Sequence, residues 1–259
     1  METYCKEIDS AILGRSIPVR FIVPEGKDLP CLLMLHGYGG NQDQWYSKTD
    51  IYQIAVQKKL VIILPGCGDG FYEDTQEDLP RFLAEELIVY AKKYLPISGM
   101  RDQTYIAGVS MGGFGALLIG AKYPQVFGKI ASFSGAFIIH DVAIGNLGVL
   151  GNADVAYFRT VFGDFATLED STRDPVAEYI RASKITQIPK LLLLCGKEDV
   201  LMQPNLRIIR QLNNAHIPLL WLETDGGHNW PFWKPLLPKV IEWLTDDQIP
   251  EDFSLFSPT

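Results

Sequence analysis

Three residues whose types could act together in acyl transfer lie far apart in the chain: Ser110, Asp199 and His228. A serine hydroxyl is a poor nucleophile near neutral pH until an imidazole, with an intrinsic pKa of about 6.5, accepts its proton. A carboxylate at the other ring nitrogen fixes the imidazole tautomer and stabilises the imidazolium. We therefore predict that Ser110 is a nucleophile, His228 its general base and Asp199 the carboxylate that orients the histidine.

The serine lies within residues 104–113, TYIAGVSMGG. The β-branched and aromatic run at 104–109 predicts a buried strand, and the apolar spacing of the following FGALLIGAKY predicts a helix. A GxSxG turn between strand and helix is typical of a nucleophile elbow, because small flanking residues let the two elements approach closely. The pentapeptide alone is a weak signal, since such a turn can also simply join two elements.

Two other carboxylates compete with Asp199 for the place beside His228. Glu198 is adjacent to Asp199 but is expected to face the other way. Asp225 is so close to His228 in sequence that it is expected to shape the turn instead. A histidine that ends an apolar run, as His36 does, is more often a structural hydrogen-bonding group than a catalytic one. Asp199 and His228 therefore remain the predicted pair.

The elements that carry these residues must bring them together. Buried strands that alternate with helical segments are predicted at 31–35, 60–64, 104–109, 129–133, 190–194 and 218–222, where most of the residues are apolar. This alternation predicts an α/β fold with a mostly parallel central sheet and helices on both faces. Ligands of such sheets bind beyond the carboxyl ends of the strands, where Ser110, Asp199 and His228 would meet. Their order in the chain is the order expected of an α/β-hydrolase fold.

The remaining segments frame this sheet as one domain, residues 1–259. Alternating apolar residues around a turn at Gly14 predict one or two antiparallel edge strands. Residues 135–189 have irregular periodicity and many aromatics, so we expect a small cap-like insertion that either walls a substrate pocket or forms local core. The acidic tail from Thr245 is expected to lack regular structure. Besides the helix after Ser110, helices are predicted at 76–94, 203–215 and 234–244.

A glycine-rich loop, His36-Gly-Tyr-Gly-Gly40, follows the apolar run at 31–35. Its glycines could let a backbone N–H turn toward the serine and supply half of an oxyanion hole. The alternative is that Gly39 and Gly40 merely turn the chain.

Composition excludes several classes of partner. The net charge of −8 and the absence of a basic run argue against nucleic acid and against an anionic membrane. No GxGxxG follows a strand, no P-loop occurs and no histidines are paired, so no cofactor and no metal are expected. Four scattered cysteines and an N-terminus without the features of an export signal predict a cytoplasmic protein with reduced thiols. The expected partner is a small-molecule ester, and a homo-oligomer is left open.

Five segments together resemble the esterase D family of α/β-hydrolases: LHGYGGNQDQW (35–45), DGFYEDT (69–75), IAGVSMGGFGAL (106–117), CGKED (195–199) and GGHNWPFW (226–233). Within it the chain looks like the bacterial tributyrin esterase and feruloyl or acetyl xylan esterase relatives, and the resemblance covers nearly the whole chain. It implies a triad of Ser110, Asp199 and His228. It also implies an oxyanion hole formed by the backbone N–H groups of Tyr38 and Met111.

The resemblance further implies that Trp230 borders the substrate pocket. Where many relatives have a tryptophan before the tyrosine of DGFYEDT, this chain has Phe71, which we expect at the pocket wall. The predicted activity is that of a serine carboxylesterase for acetyl, short-chain or hydroxycinnamoyl esters, acting through an acyl-enzyme. The alternatives are a thioesterase of the S-formylglutathione hydrolase type, a prolyl oligopeptidase-type peptidase, disfavoured because a gating domain is missing, and a non-catalytic binding protein of the same fold.

Overall fold

The computed structural model describes residues 2–75, 77–146, 155–246, 248, 249, 251 and 254–256. Within these residues the strands are β1 (Glu2–Ser10), β2 (Arg15–Val23), β3 (Cys31–Leu35), β4 (Val61–Pro65), β5 (Thr104–Val109), β6 (Lys129–Phe133), β7 (Lys190–Gly196), β8 (Leu219–Thr224) and β9 (Ser254–Phe256). They form one sheet in the order β1-β2-β4-β3-β5-β6-β7-β8-β9.

The six central strands of this sheet, β4 to β8 in spatial order, are parallel, whereas β1, β2 and β9 run antiparallel at its edges. All five residues of β3 are buried, and so are all six of β5, because both faces of each strand are covered. The prediction of a mostly parallel sheet is confirmed.

Helices cover both faces of the sheet. Their bounds are α1 (Gln44–Lys48), α2 (Ile51–Lys58), α3 (Leu79–Arg81), α4 (Ile88–Tyr94), α5 (Met111–Lys122), α6 (Ile139–Ala143), α7 (Val155–Phe162), α8 (Pro175–Ser183), α9 (Met202–Asn214) and α10 (Trp230–Asp246). A π-helical turn at Phe82–Leu87 joins α3 to α4, and short 3₁₀ turns lie at Arg101–Gln103 and Phe165–Thr167.

The alternation of side chains along β3 shows how the sheet divides two apolar cores. Cys31, Leu33 and Leu35 pack with residues of α4, α5 and α9, whereas Leu32 and Met34 pack with residues of α2 and α10. Each core is therefore built by one face of the sheet and the helices on that face. The loops that follow the parallel strands lie at the carboxyl edge of the sheet, between the two cores.

Most predicted elements are found within a residue or two of their expected bounds, but two expectations are wrong. Part of the tail forms β9, which pairs antiparallel with β8. The last long helix starts at Trp230 rather than at residue 234, and it holds Pro235 and Pro238 within its length. Of the predicted helix at 76–94, Gln76 lies outside the described residues, and the rest is interrupted by the π-helical turn.

The segment predicted as an insertion, residues 135–189, contains α6, α7 and α8 as short helices. Residues 147–154 of this segment lie outside the described residues. None of the helices in the described part of the chain is both long enough and apolar enough to cross a membrane.

Candidate active site

Ser110 occupies the sharp turn between β5 and α5. Its φ of 56° and ψ of −117° lie in a region that residues other than glycine rarely adopt. The Ser110 N–H donates to the Phe133 carbonyl (2.8 Å), and the Ser110 carbonyl accepts from the N–H groups of Phe114 (3.1 Å) and Ala136 (2.9 Å). Backbone hydrogen bonds on both sides therefore hold the strained turn in place.

Glycines make this turn sterically feasible. A Cβ on Gly108 would overlap the backbone of Gly112, and a Cβ on Gly112 would lie 2.5 Å from the Leu35 carbonyl oxygen. A Cβ on Gly113 would overlap the Ser132 hydroxyl. Any side chain at these positions would push α5 away from the sheet, and the serine at its N-terminus would move with it.

The structure brings Ser110, His228 and Asp199 together at the carboxyl edge of the sheet. His228 Nε2 lies 2.9 Å from Ser110 Oγ, and His228 Nδ1 lies 3.0 Å from both carboxylate oxygens of Asp199. Because an ionised carboxylate only accepts hydrogen bonds, Nδ1 must carry the proton. Nε2 is then the acceptor for the serine hydroxyl, as a general base requires.

The environment of Asp199 keeps this carboxyl ionised. Its side chain is fully buried, and burial raises its pKa, but hydrogen bonds from His228, the Leu201 N–H (2.8 Å) and Ser134 outweigh burial and hold the pKa below its usual value. The His228 side chain, by contrast, is 26% exposed. The histidine is accordingly open to a substrate on one side and fixed by a buried charge on the other.

The two competing carboxylates have other partners. Glu198 accepts a hydrogen bond from the Gly226 N–H at 2.5 Å, which joins the ends of β7 and β8. Asp225 forms an exposed ion pair with Lys197 at 2.8 Å. Their contacts therefore hold the turn that carries His228, and Asp199 alone of the three carboxylates hydrogen-bonds to its ring among the described residues.

His36 is buried and structural. Its Nε2 accepts from the Cys67 N–H at 3.2 Å, so Nδ1 carries the proton and donates to the Gly37 carbonyl at 2.8 Å. Burial lowers the pKa of His36, which keeps the ring neutral. The histidine thus ties the loop after β3 to the loop after β4, in agreement with its predicted structural role.

The loop at residues 36–40, hereafter the glycine loop, packs directly on the serine. The position of a Cβ on Gly37 would lie 3.5 Å from Ser110 Cβ. Tyr38 follows it, with an exposed side chain whose ring lies edge-on to Tyr157. In the described part of the chain, neither the Tyr38 N–H nor the Met111 N–H at the start of α5 has a hydrogen-bond acceptor. Both are available as donors beside the serine.

A cavity of about 550 Å³ opens at Ser110 and His228. Its other walls are mostly aromatic or apolar and include Tyr38, Gln44, Val109, Trp230, Pro231 and Trp233. Among the described residues that line it there is no Lys, Arg, Asp or Glu. Trp230, predicted to border the pocket, lies in this wall and packs edge-on against Trp45, with ring centroids 5.0 Å apart.

Phe71 does not line this cavity, contrary to the prediction. It is 4% exposed, and its ring packs against Phe114 of α5 at 5.5 Å and Phe162 of α7 at 5.1 Å. Phe158 of α7 belongs to the same cluster. Phe71 is therefore core, and the aromatic residues of α7 serve here as local core as well.

Trp233, which lies beside the histidine, was missed by sequence reasoning. The Trp233 ring lies edge-on to the His228 ring, with centroids 4.8 Å apart, and its Nε1 donates to Ser134 Oγ at 2.9 Å. Trp233 is three residues after Trp230, so both lie on one face of α10. That spacing was a usable signal, but placing the helix start at residue 234 concealed it.

Comparisons with known proteins show the family of the chain. The family model described as "Putative esterase" matches residues 10–244. The acetyl esterase of Caldicellulosiruptor saccharolyticus is 34% identical over 229 residues, which cover 85% of this chain and 85% of that protein. In the part of the chain that the structure describes, no three His, Cys, Asp or Glu side chains form a group that could hold a metal ion.

Two solved structures from Staphylococcus aureus resemble the whole fold. Fluorophosphonate-binding serine hydrolase F superposes with a TM-score of 0.86 at 25% identity, covering 95% of this chain and 99% of that one. S-formylglutathione hydrolase superposes with a TM-score of 0.81 at 26% identity and the same coverage. With the family match over most of its length, the chain belongs to the esterase family and is a carboxylic ester hydrolase of the α/β-hydrolase fold.

Proposed function

We propose that the protein is a serine carboxylesterase that cleaves small acyl esters through an acyl-enzyme on Ser110. The observation that carries this proposal is the hydrogen-bonded series from Ser110 Oγ through His228 to buried Asp199, at the mouth of an apolar cavity. Such a series supplies a nucleophile, a base and an orienting charge at one point.

In the first step, Ser110 Oγ attacks the ester carbonyl carbon while its proton passes to His228 Nε2. The carbonyl oxygen gains negative charge, and the N–H groups of Tyr38 and Met111 donate to it. The positive end of α5, which begins at Met111, acts on the same oxygen. Asp199 stabilises the imidazolium that has formed.

In the second step, the carbon–oxygen bond to the alcohol breaks and His228 gives its proton to the leaving oxygen. The acyl group remains on Ser110 as an ester. Water then attacks this ester, His228 accepts a proton from the water, and the carboxylic acid leaves as the proton returns to Ser110 Oγ. The enzyme is restored, and one water molecule is consumed for each ester.

The cavity favours neutral substrates. No charged side chain is found among its described lining residues, so an acyl or alcohol group that carries a carboxylate has no counter-ion there. The relative that is an acetyl esterase supports a short acyl group. Hydroxycinnamoyl esters belong to the same neutral class, and the aromatic wall at Trp230 and Trp233 suits their rings.

A thioesterase of the S-formylglutathione hydrolase type is the second candidate, supported by the Staphylococcus aureus neighbour of that name. Glutathione carries two carboxylates and an ammonium group, which find no partner in the described lining of this cavity. We therefore rank the neutral ester first.

We also propose a cytoplasmic location, because Cys5, Cys31, Cys67 and Cys195 are all free thiols.

Initial rates with p-nitrophenyl acetate test this proposal. Ser110→Ala is expected to lower kcat by about three orders of magnitude or more, because a nucleophile cannot be replaced by binding alone. Ser183→Ala on α8 is the matched control and is expected to keep the full rate, since Ser183 only caps a local carbonyl. Full activity of Ser110→Ala would overturn the mechanism, and faster turnover of formylglutathione than of acetyl, butyryl and feruloyl esters would reverse the ranking.

A further inference from the structure

Three of the backbone N–H groups of the glycine loop are already engaged. The Gly37 N–H donates to Gln44 Oε1 at 2.9 Å, and the Gly39 N–H donates to Asp69 Oδ1 at 2.7 Å. The Gly40 N–H donates to the Gly37 carbonyl at 3.0 Å. The N–H of Tyr38 lies in sequence between the N–H groups of Gly37 and Gly39, and it has no acceptor among the described residues.

The direction of the Tyr38 N–H follows from the peptide unit to which it belongs. That unit also contains the Gly37 carbonyl, and in a trans peptide the C=O and N–H point in opposite directions. The Gly37 carbonyl accepts from the Gly40 N–H and from His36 Nδ1, so it is fixed from the opposite side. Gln44 and Asp69 hold the preceding and the following peptide units, and the unit between them cannot turn without breaking one of these contacts.

The two side-chain acceptors stand on rigid supports. Gln44 is the first residue of α1, and the next residue, Trp45, is buried and donates from Nε1 to the Leu35 carbonyl at 2.9 Å. The backbone carbonyl of Asp69 accepts from the Tyr157 hydroxyl of α7. Because Gly37 donates an N–H, the amide atom of Gln44 that meets it must be the oxygen, which settles the orientation of the amide.

We propose that Gln44 and Asp69 are positioning residues for the oxyanion hole. By engaging the N–H groups on either side of Tyr38, they hold the Tyr38 N–H in one direction as the free donor beside Ser110. Neither side chain needs to touch the reacting atoms. This inference rests on the proposed function, and it adds two residues whose effect on catalysis is exerted through the backbone of the glycine loop.

The expected effect lies in kcat rather than in KM. A donor to the oxyanion acts only when charge develops, and removal of one such donor costs about 10²- to 10³-fold in kcat. Releasing the loop leaves the Tyr38 N–H present but poorly directed. We therefore expect loss of the Gln44 acceptor to lower kcat by about tenfold or more, with KM changed by less than about twofold.

Gln44→Met tests this, since it keeps an unbranched side chain of similar length without the amide oxygen. The readouts are kcat and KM for p-nitrophenyl acetate and Ki for an aryl trifluoromethyl ketone. The serine oxygen adds to the carbonyl carbon of this ketone and gives a tetrahedral oxyanion. We expect Ki to rise by the factor by which kcat falls. Gln42→Met is the matched control, because Gln42 contacts Gly66 and Asp43 instead of the glycine loop, and it should leave all three values unchanged.

A second pair of variants keeps the test decisive if Gln44→Met does not fold. Asp69→Asn retains the Oδ1 acceptor and is expected to keep kcat and Ki, whereas Asp69→Leu is expected to lower kcat and raise Ki together. Unchanged kcat and Ki in Gln44→Met, or equal values for the two Asp69 variants, would overturn this inference alone. If the Ser110→Ala variant hydrolysed the ester as fast as the unmodified protein, the proposed function would be overturned instead.

Discussion

Glu73 is a buried carboxyl whose ionisation should govern the pH dependence of stability. It is 3% exposed, and neither carboxylate oxygen has a hydrogen-bond partner among the described residues. Burial, with a smaller contribution from Asp74, raises the pKa of Glu73 from 4.5 to about 8, although Lys122 and Arg173 oppose the change. Glu73→Gln replaces the carboxyl with a neutral group of the same shape.

The size of the effect follows from the two pKa values. Between pH 4.5 and about 8 the unfolded chain has lost this proton while the folded protein keeps it, so stability falls as the pH rises through that window. Each pH unit changes the free energy of unfolding by about 1.4 kcal/mol, which gives about 3 kcal/mol by pH 7 and no further loss above pH ~8. Glu73→Gln has no ionisable group at this position, so its stability relative to the unmodified protein should increase with pH over the same window.

Urea unfolding followed by tryptophan fluorescence at pH 5, 7 and 8 measures this difference. We expect the free energy of unfolding of Glu73→Gln to exceed that of the unmodified protein by an amount that increases with pH. Glu223→Gln is the control for the loss of a carboxylate, because Glu223 is exposed. A difference in the free energy of unfolding between Glu73→Gln and the unmodified protein that stays constant from pH 5 to 8 would show that Glu73 does not contribute to the pH dependence of stability.

Three further predictions concern the site itself. Asp199→Asn should lower kcat for p-nitrophenyl acetate by about 10⁴-fold near neutral pH, because an amide no longer selects the His228 tautomer; a loss below tenfold would contradict it. Gly112→Ala should lower the melting temperature in calorimetry, since its Cβ would lie 2.5 Å from a β3 carbonyl oxygen; an unchanged value would contradict it. Trp233→Phe keeps a ring against His228 but removes the hydrogen bond to Ser134, so the free energy of unfolding in urea should fall by about 1 kcal/mol; no decrease would contradict it.

The parts of the site that follow from strand ends could be predicted from the sequence. The bounds of β3 and β5 agree residue for residue with the predicted strands, because every position of a strand covered on both faces is buried. Ser110, Asp199 and His228 follow β5, β7 and β8, which are parallel and therefore end at one edge. Their proximity could therefore be predicted from the positions of the parallel strands in the sequence.

Contacts between side chains distant in sequence could not be predicted in the same way. Phe71 was expected at a pocket wall, but its ring meets Phe114 and Phe162, and no periodicity in its own segment shows which residues will surround it. Gln44 was one polar residue among several around the start of α1, and only the folded loop shows that its amide oxygen accepts from the Gly37 N–H. The predicted start of α10 at residue 234 left out Trp230 to Trp233, although Pro231 lies in the first turn, where proline is well tolerated.

Covalent labelling with a fluorophosphonate tests whether Ser110 is the nucleophile, because the reagent reacts with a serine only where a base and an oxyanion hole activate it. Peptide mass spectrometry after labelling should place the adduct on Ser110, and esterase activity should fall in proportion to the fraction labelled. Asp199→Asn should label far more slowly under the same conditions. An adduct on another residue, or full activity after complete labelling of Ser110, would show that Ser110 is not the nucleophile.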